Sequence, residues 1–208
     1  MSTDHPHAAF LTGGLPSLYV KTALPIIILM VMSGLLNVTD AWFLGVFSGE
    51  QALAAVTVSF PIFMLLSALG MLVASGMSSL LARALGQGDR SGAESVFASA
   101  HALSLAISLV LVLLYVLLGG PVLTRLSLGD EALAAEAARY IGVLIWGAPI
   151  ALILSVQADG LRNEGQAGFM ALAGLGVTLA NIAFNAVLII ALQMGAAGAA
   201  IGTVLAQG

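Results

Sequence analysis

The 208-residue sequence contains no cysteine. That excludes a disulfide framework, Cys-based metal centres and thiol chemistry. Charge is almost as scarce, with Asp, Glu, Lys and Arg making up only 8% of the chain. A soluble domain of this length needs a far larger charged surface, so a water-exposed globular fold is excluded. The six Lys and Arg residues are scattered, and no basic patch suits nucleic acid. No P-loop, zinc-binding motif or catalytic dyad is present, which argues against an enzyme.

What is present is apolar. Hydrophobic residues make up 60% of the chain, and the mean hydropathy is +1.09. The 24 glycines and many alanines suit helices that pack closely in lipid. The composition predicts an all-α integral membrane protein. Polar breaks divide it into segments at about 18–47, 53–85, 93–118, 133–161, 168–192 and 196–208. Crossing a bilayer takes about 20 helical residues, so the sixth segment is expected to be incomplete. That expectation makes the chain the leading part of a longer protein. Residues 1–17 form a polar tail without Lys or Arg, followed by an apolar stretch too long for a cleaved leader.

Between segments, Ser48-Gly-Glu-Gln51 and Gly86-Gln-Gly-Asp-Arg-Ser-Gly92 read as compact turns. Gly119-Gly-Pro121 is expected to open a longer connection through Arg125 and Gly129. Lys21, Arg83, Arg90 and Arg162 fall on one side, and Arg125 and Arg139 on the other. This bias favours a cytoplasmic N-terminus.

The residue this apolar chain must accommodate is Asp40. Ser33, Asn37 and Asp40 are spaced i, i+4, i+7 on one face of the first segment. A carboxylate deep in a bilayer costs on the order of 3 kcal/mol, so an acid there marks either a helix end reaching water or a buried functional group. Two further apolar turns after Asp40 favour the second reading. A matching stripe, Thr178, Asn181 and Asn185, lies in the fifth segment. The two stripes can satisfy one another across a bundle, as simple inter-helix glue or as a site. Pro25, Pro61 and Pro149 lie within apolar segments, where each can bend its helix. Pro25 is read as either an ordinary kink or a hinge giving the Asp40 helix two shapes. Asp159 and Arg162 are expected to pair at the membrane surface, and His101 to be buried and hydrogen-bonded. Gly198-Ala-Ala-Ile-Gly202 fits close packing of small residues.

Several motifs in order carry a resemblance: Leu24-Pro25, Asn37-Val-Thr-Asp40-Ala-Trp-Phe-Leu-Gly45, Gln51-Ala-Leu-Ala-Ala-Val56 and Leu85-Gly-Gln-Gly-Asp89. Leu161-Arg162-Asn-Glu-Gly165, Asn181-Ile-Ala-Phe-Asn185 and Gly195-Ala-Ala-Gly-Ala-Ala-Ile-Gly-Thr203 follow. Across nearly its whole length the chain resembles the MATE family of multidrug and toxic-compound extrusion transporters. The resemblance implies two six-helix lobes around a central cavity, this chain being most of the first and a C-terminal lobe its missing partner. It also implies export of organic, often cationic, small molecules across the cytoplasmic (inner) membrane, driven by Na⁺ or H⁺ with no other cofactor.

Carried over by position, the coupling site falls on Asp40, Tyr140, Asn181, Asn185 and Thr203. Na⁺ would be held at Asp40, Asn181, Asn185 and Thr203. Some members carry a second Asp where this chain has Asn185, which leaves one carboxylate in the site. Two other readings remain: a lipid-linked precursor flippase of the same superfamily, expected to have a strongly cationic cavity, and a non-transporting membrane scaffold, expected to tolerate loss of Asp40.

Overall fold

The computed structural model describes residues 15–208, with side chains described from Val20 onward except those at 21, 22, 25, 26, 29, 33 and 167. The side chains of Pro25 and Ser33, and most of the 1–17 tail, therefore lie outside the described residues. All regular structure among the described residues is helical. The elements are α1 (Leu15–Phe47), α2 (Gly49–Gly86), α3 (Arg90–Leu126), α4 (Glu131–Trp146), α5 (Ala148–Asn163), α6 (Ala167–Asn185) and α7 (Gly195–Gln207). A π-helical segment, Ala186–Ala191, continues α6.

By length and composition, α1, α2, α3 and α6 with its π extension can each cross a membrane. The pair α4 and α5, bent by 49° at its junction, has together the length and apolarity of one further broken span or of a re-entrant loop. The bend sits at Gly147, with Pro149 in the first turn of α5. There the ring's missing N–H breaks no interior hydrogen bond, so the proline starts a helix instead of interrupting one.

One boundary differs from the sequence reading. The third helix does not stop at residue 118 but runs through Gly119, Gly120 and Pro121 to Leu126. Pro121 removes a single ladder bond, which a helix held by its neighbours tolerates. Here the Tyr115 ring lies over Gly119, where a Cβ would come within 2.8 Å of it, and its hydroxyl donates to the Ala138 carbonyl of α4 at 2.8 Å. The expected long connection shrinks to a turn at 127–130. Leu128 (φ 53°) and Gly129 (φ 86°) reverse the chain there, and the Asp130 side chain caps α4 by accepting from the Leu133 N–H at 3.0 Å.

The packing is inverted relative to a soluble protein. Alanines Ala55, Ala137, Ala148, Ala196 and Ala200 are fully buried, while Met71 (70% exposed) and Leu109 (71%) point outward. Small residues let backbones approach, and the large apolar side chains are left for lipid tails. One core cluster joins α2, α3, α4 and α7 through Ala55, Leu123, Ile141 and Ala200. A second joins α1, α2, the π segment and α7 through Phe43, Leu44, Ala52, Ile189 and Ala196. This second cluster brings the end of α1 against α6 and α7, and so positions the site.

Candidate functional site

Asp40 sits where α1, α6 and α7 converge. Exposed Trp42 and Phe47 flank it near the end of α1, with ring centroids 5.9 Å apart edge to face. Such rings suit the membrane–water boundary. Asp40 itself does not simply reach out at the helix end. Its Oδ1 accepts a hydrogen bond of 2.6 Å from Asn185 Nδ2.

That amide begins a chain of contacts. Asn185 Nδ2 also donates to Asn181 Oδ1 at 2.8 Å, one turn back on α6. Asn181 Nδ2 in turn donates to Thr203 Oγ1 on α7 at 3.0 Å, and the Thr203 hydroxyl donates to the Ala199 carbonyl at 3.0 Å. Asn181 and Asn185 are 1% and 0% exposed, so the two amides hold a water-poor interior together. Helical periodicity puts positions 181 and 185 on one face, and the α1–α6 packing turns that face to Asp40.

A cavity of about 550 Å³ opens beside the carboxylate. Asn37 and Asp40 of α1, Phe60 of α2, Tyr140 of α4, and Thr203 and Gln207 of α7 contribute to its wall. Asp40, Asn181, Asn185 and Thr203 are thus linked by hydrogen bonds, and Tyr140 stands in the same cavity. Thr178, one turn further back on α6, is buried, and its hydroxyl donates to Gly174 O at 2.9 Å within the helix rather than to this network.

Electrostatically the acid stands apart. The ion pairs among the described residues are Arg90–Glu94, Arg139–Glu136 and Arg162–Asp159, and none includes Asp40. Among the described residues no Lys or Arg lines its cavity. No group of three or more His, Cys, Asp or Glu gathers among the described residues. A cation at this site therefore rests on one carboxylate and neutral oxygens, which suits a hard monovalent ion or a proton more than a transition metal.

Two features escaped the sequence reading. Gly202 of α7 is buried against Asn185, and a Cβ at position 202 would overlap Asn185 Oδ1. That oxygen is buried and has no hydrogen-bond partner among the described residues. The glycine spacing signalled close packing, not which side chain the missing Cβ makes room for. The π segment starts at the residue after Asn185, and nothing in the local sequence marks it.

Two polar groups outside this network make contacts between neighbouring helices. Asp159 and Arg162 pair at 2.7 Å, and Asn163 ties α5 to Ser78 of α2 at 2.8 Å. His101 is half-buried, its Nδ1 2.8 Å from the Phe97 carbonyl and its Nε2 3.2 Å from the Gln157 amide of α5. A neutral ring donating at Nδ1 and accepting at Nε2 satisfies both contacts.

Comparison with known proteins shows what the chain is similar to. The sequence model of the MatE family matches residues 25–187. The multidrug export protein MepA of Staphylococcus aureus is 25% identical over 192 residues, a match covering 89% of this chain and 41% of MepA. A solved outward-facing multidrug resistance MATE family transporter of the MOP superfamily superposes with a TM-score of 0.88 at 30% identity. The match covers 99% of this chain and 45% of that one. A MOP superfamily transporter from Pyrococcus furiosus, described as having a binding pocket of reverse polarity that suggests a different function, superposes at 0.85 with 30% identity over the same shares. The chain thus spans less than half the length of these relatives.

Proposed function

From the premise that the chain belongs to the MatE family, we propose that it forms the first lobe of a cation-coupled antiporter. The complete protein exports organic, often cationic, compounds across the cytoplasmic membrane by alternating access, with its N-terminus on the cytoplasmic side and a C-terminal lobe closing the central cavity. Asp40 is the coupling acid, Asn181 and Asn185 are its amide partners, and Tyr140 and Thr203 complete the site. Pro25 is the hinge of the first helix.

The observation that carries this reading is the 2.6 Å hydrogen bond between Asp40 and a fully buried Asn185 amide, beside a cavity and away from any described cationic side chain. An acid without a fixed counter-charge in an apolar bundle is balanced by something mobile, H⁺ or Na⁺. The donor set fits either ion. A proton needs only the carboxylate oxygens. Na⁺ needs hard oxygen ligands, which Asp40, Asn181, Asn185 and Thr203 carry, but it also needs the Asn185 carboxamide to turn Oδ1 toward Asp40 in place of Nδ2. The acidic cavity wall suits a cationic substrate better than an anionic lipid-linked precursor, which favours the exporter over the flippase.

Asp40→Asn tests the reading. It keeps size and hydrogen-bonding capacity but removes the charge that an ion can neutralise. In the protein at full native length, reconstituted in liposomes with an imposed H⁺ or Na⁺ gradient, the variant is expected to bind substrate yet lose gradient-driven efflux. Normal gradient-driven efflux by a properly inserted Asp40→Asn protein overturns Asp40 as the coupling residue.

A further inference from the structure

A second cavity, about 570 Å³, lies between the C-terminal half of α2 and the N-terminal half of α3 and shares no residue with the Asp40 site. Buried Val73, Met77 and Ala100 form its floor, and Leu72, Leu80 and Leu103 stand exposed as its walls. Gly76 opens its middle, since a Cβ built there meets no atom within 4 Å. Ser99 adds little polarity, because its hydroxyl donates to the Ser95 carbonyl at 2.7 Å within α3. The slot is therefore greasy, narrow-floored and open to the outside of the bundle.

Arg83 stands above it. Positions 72, 76 and 83 fall on one face of α2, spaced i, i+4 and i+11. Arg83 lies about 10 Å along the axis from Gly76 and about 16 Å from Leu72. One leaflet of a bilayer's hydrocarbon is about 15 Å deep. Below Arg83, the slot thus has the depth of one leaflet. Arg83 is in the last turn of α2 and exposed. At the same end of the bundle Arg90 is paired with Glu94 and Arg162 with Asp159, whereas Arg83 is in none of the ion pairs among the described residues.

We propose that the α2–α3 groove is a binding site for an anionic phospholipid of the leaflet on the side of the 87–89 turn, with an acyl chain in the slot and the phosphate on Arg83. The pairing of parts selects the occupant. A hydrophobic helix from a partner fills the slot but leaves the guanidinium without a counter-charge, and a free phosphate pairs with Arg83 but leaves the slot empty. A phospholipid does both, and the guanidinium's planar fork matches phosphate oxygens. The proposal is independent of the coupling chemistry at Asp40.

The test uses the full-length protein carrying Leu103→Trp as a reporter, in vesicles doped with brominated phosphatidylglycerol or brominated phosphatidylcholine. Quenching above the level of the native tryptophans reports an acyl chain in the slot. The expected result is roughly five-fold stronger apparent binding of the anionic lipid, the scale of one basic residue at a charged interface. Arg83→Gln should abolish that preference while leaving weak quenching by both lipids. Gly76→Phe, which fills the slot, should reduce quenching by both. Circular dichroism and monodispersity in detergent show that each variant is folded, and the two act on different parts of the site, so misfolding of one leaves the other informative. Equal quenching by the two lipids in the Arg83 protein overturns the proposal. So does an absence of reporter quenching by either lipid, the outcome if another protein segment covers the groove.

Discussion

Asn185 is the residue on which the site turns, since one amide group serves both Asp40 and Asn181 while its oxygen is left against Gly202. A buried acceptor left without a partner costs about 1–3 kcal/mol. An added methyl at position 202 overlaps that oxygen, so Gly202→Ala should push the carboxamide off Asp40. The expected outcome is a loss of coupled efflux of about ten-fold or more, with a stability loss of about 1–3 kcal/mol from overpacking. A double-mutant cycle checks the route. If Gly202 acts through Asn185, Gly202→Ala adds little further loss of efflux to an Asn185→Ala protein. Full additivity shows instead that Gly202 serves packing alone.

Among the helices, α3 and α1 make separable claims. The Tyr115 hydroxyl ties α3 to the Ala138 carbonyl of α4 close to Pro121. Tyr115→Phe should lower stability by about 0.6 kcal/mol, the usual worth of an inter-helix hydrogen bond in a membrane, with no change in the ion dependence of transport. Unfolding in mixed micelles measures the first and efflux assays the second. Position 25 lies well along α1 from Asp40, about 22 Å at 1.5 Å per residue. If the ring gives α1 two shapes, Pro25→Ala should slow turnover while leaving substrate affinity and insertion unchanged. Unaltered turnover leaves Pro25 a passive residue of the helix.

For the whole molecule, the decisive fact is proportion. The chain covers 41% of MepA and 45% of the outward-facing transporter it resembles. A cavity that opens on one face of a single lobe cannot alternate between two sides of a membrane without a partner surface to rock against. Liposomes containing only these 208 residues are therefore expected to insert the protein yet show no gradient-dependent dye efflux. Robust coupled efflux from this chain alone contradicts the two-lobe mechanism.

The helical membrane class and the helix face shared by Asn181 and Asn185 were legible in the sequence because they follow from local rules. Apolar length decides what can cross a bilayer, and a period of 3.6 residues decides which side chains share a face. Asp40 stood out for the same reason, as a charge in a stretch with no water. What the sequence left open was where neighbours decide. The continuation of α3 through Pro121 depends on Tyr115 and α4, because a proline's cost is judged against the packing around it. The service of one amide to both Asp40 and Asn181 and the fit of that amide against Gly202 depend on how α1, α6 and α7 meet. Those contacts join residues up to 145 positions apart in the chain, and no local periodicity carries information over that distance. Only the close approach of small-faced helices brings them within hydrogen-bonding reach.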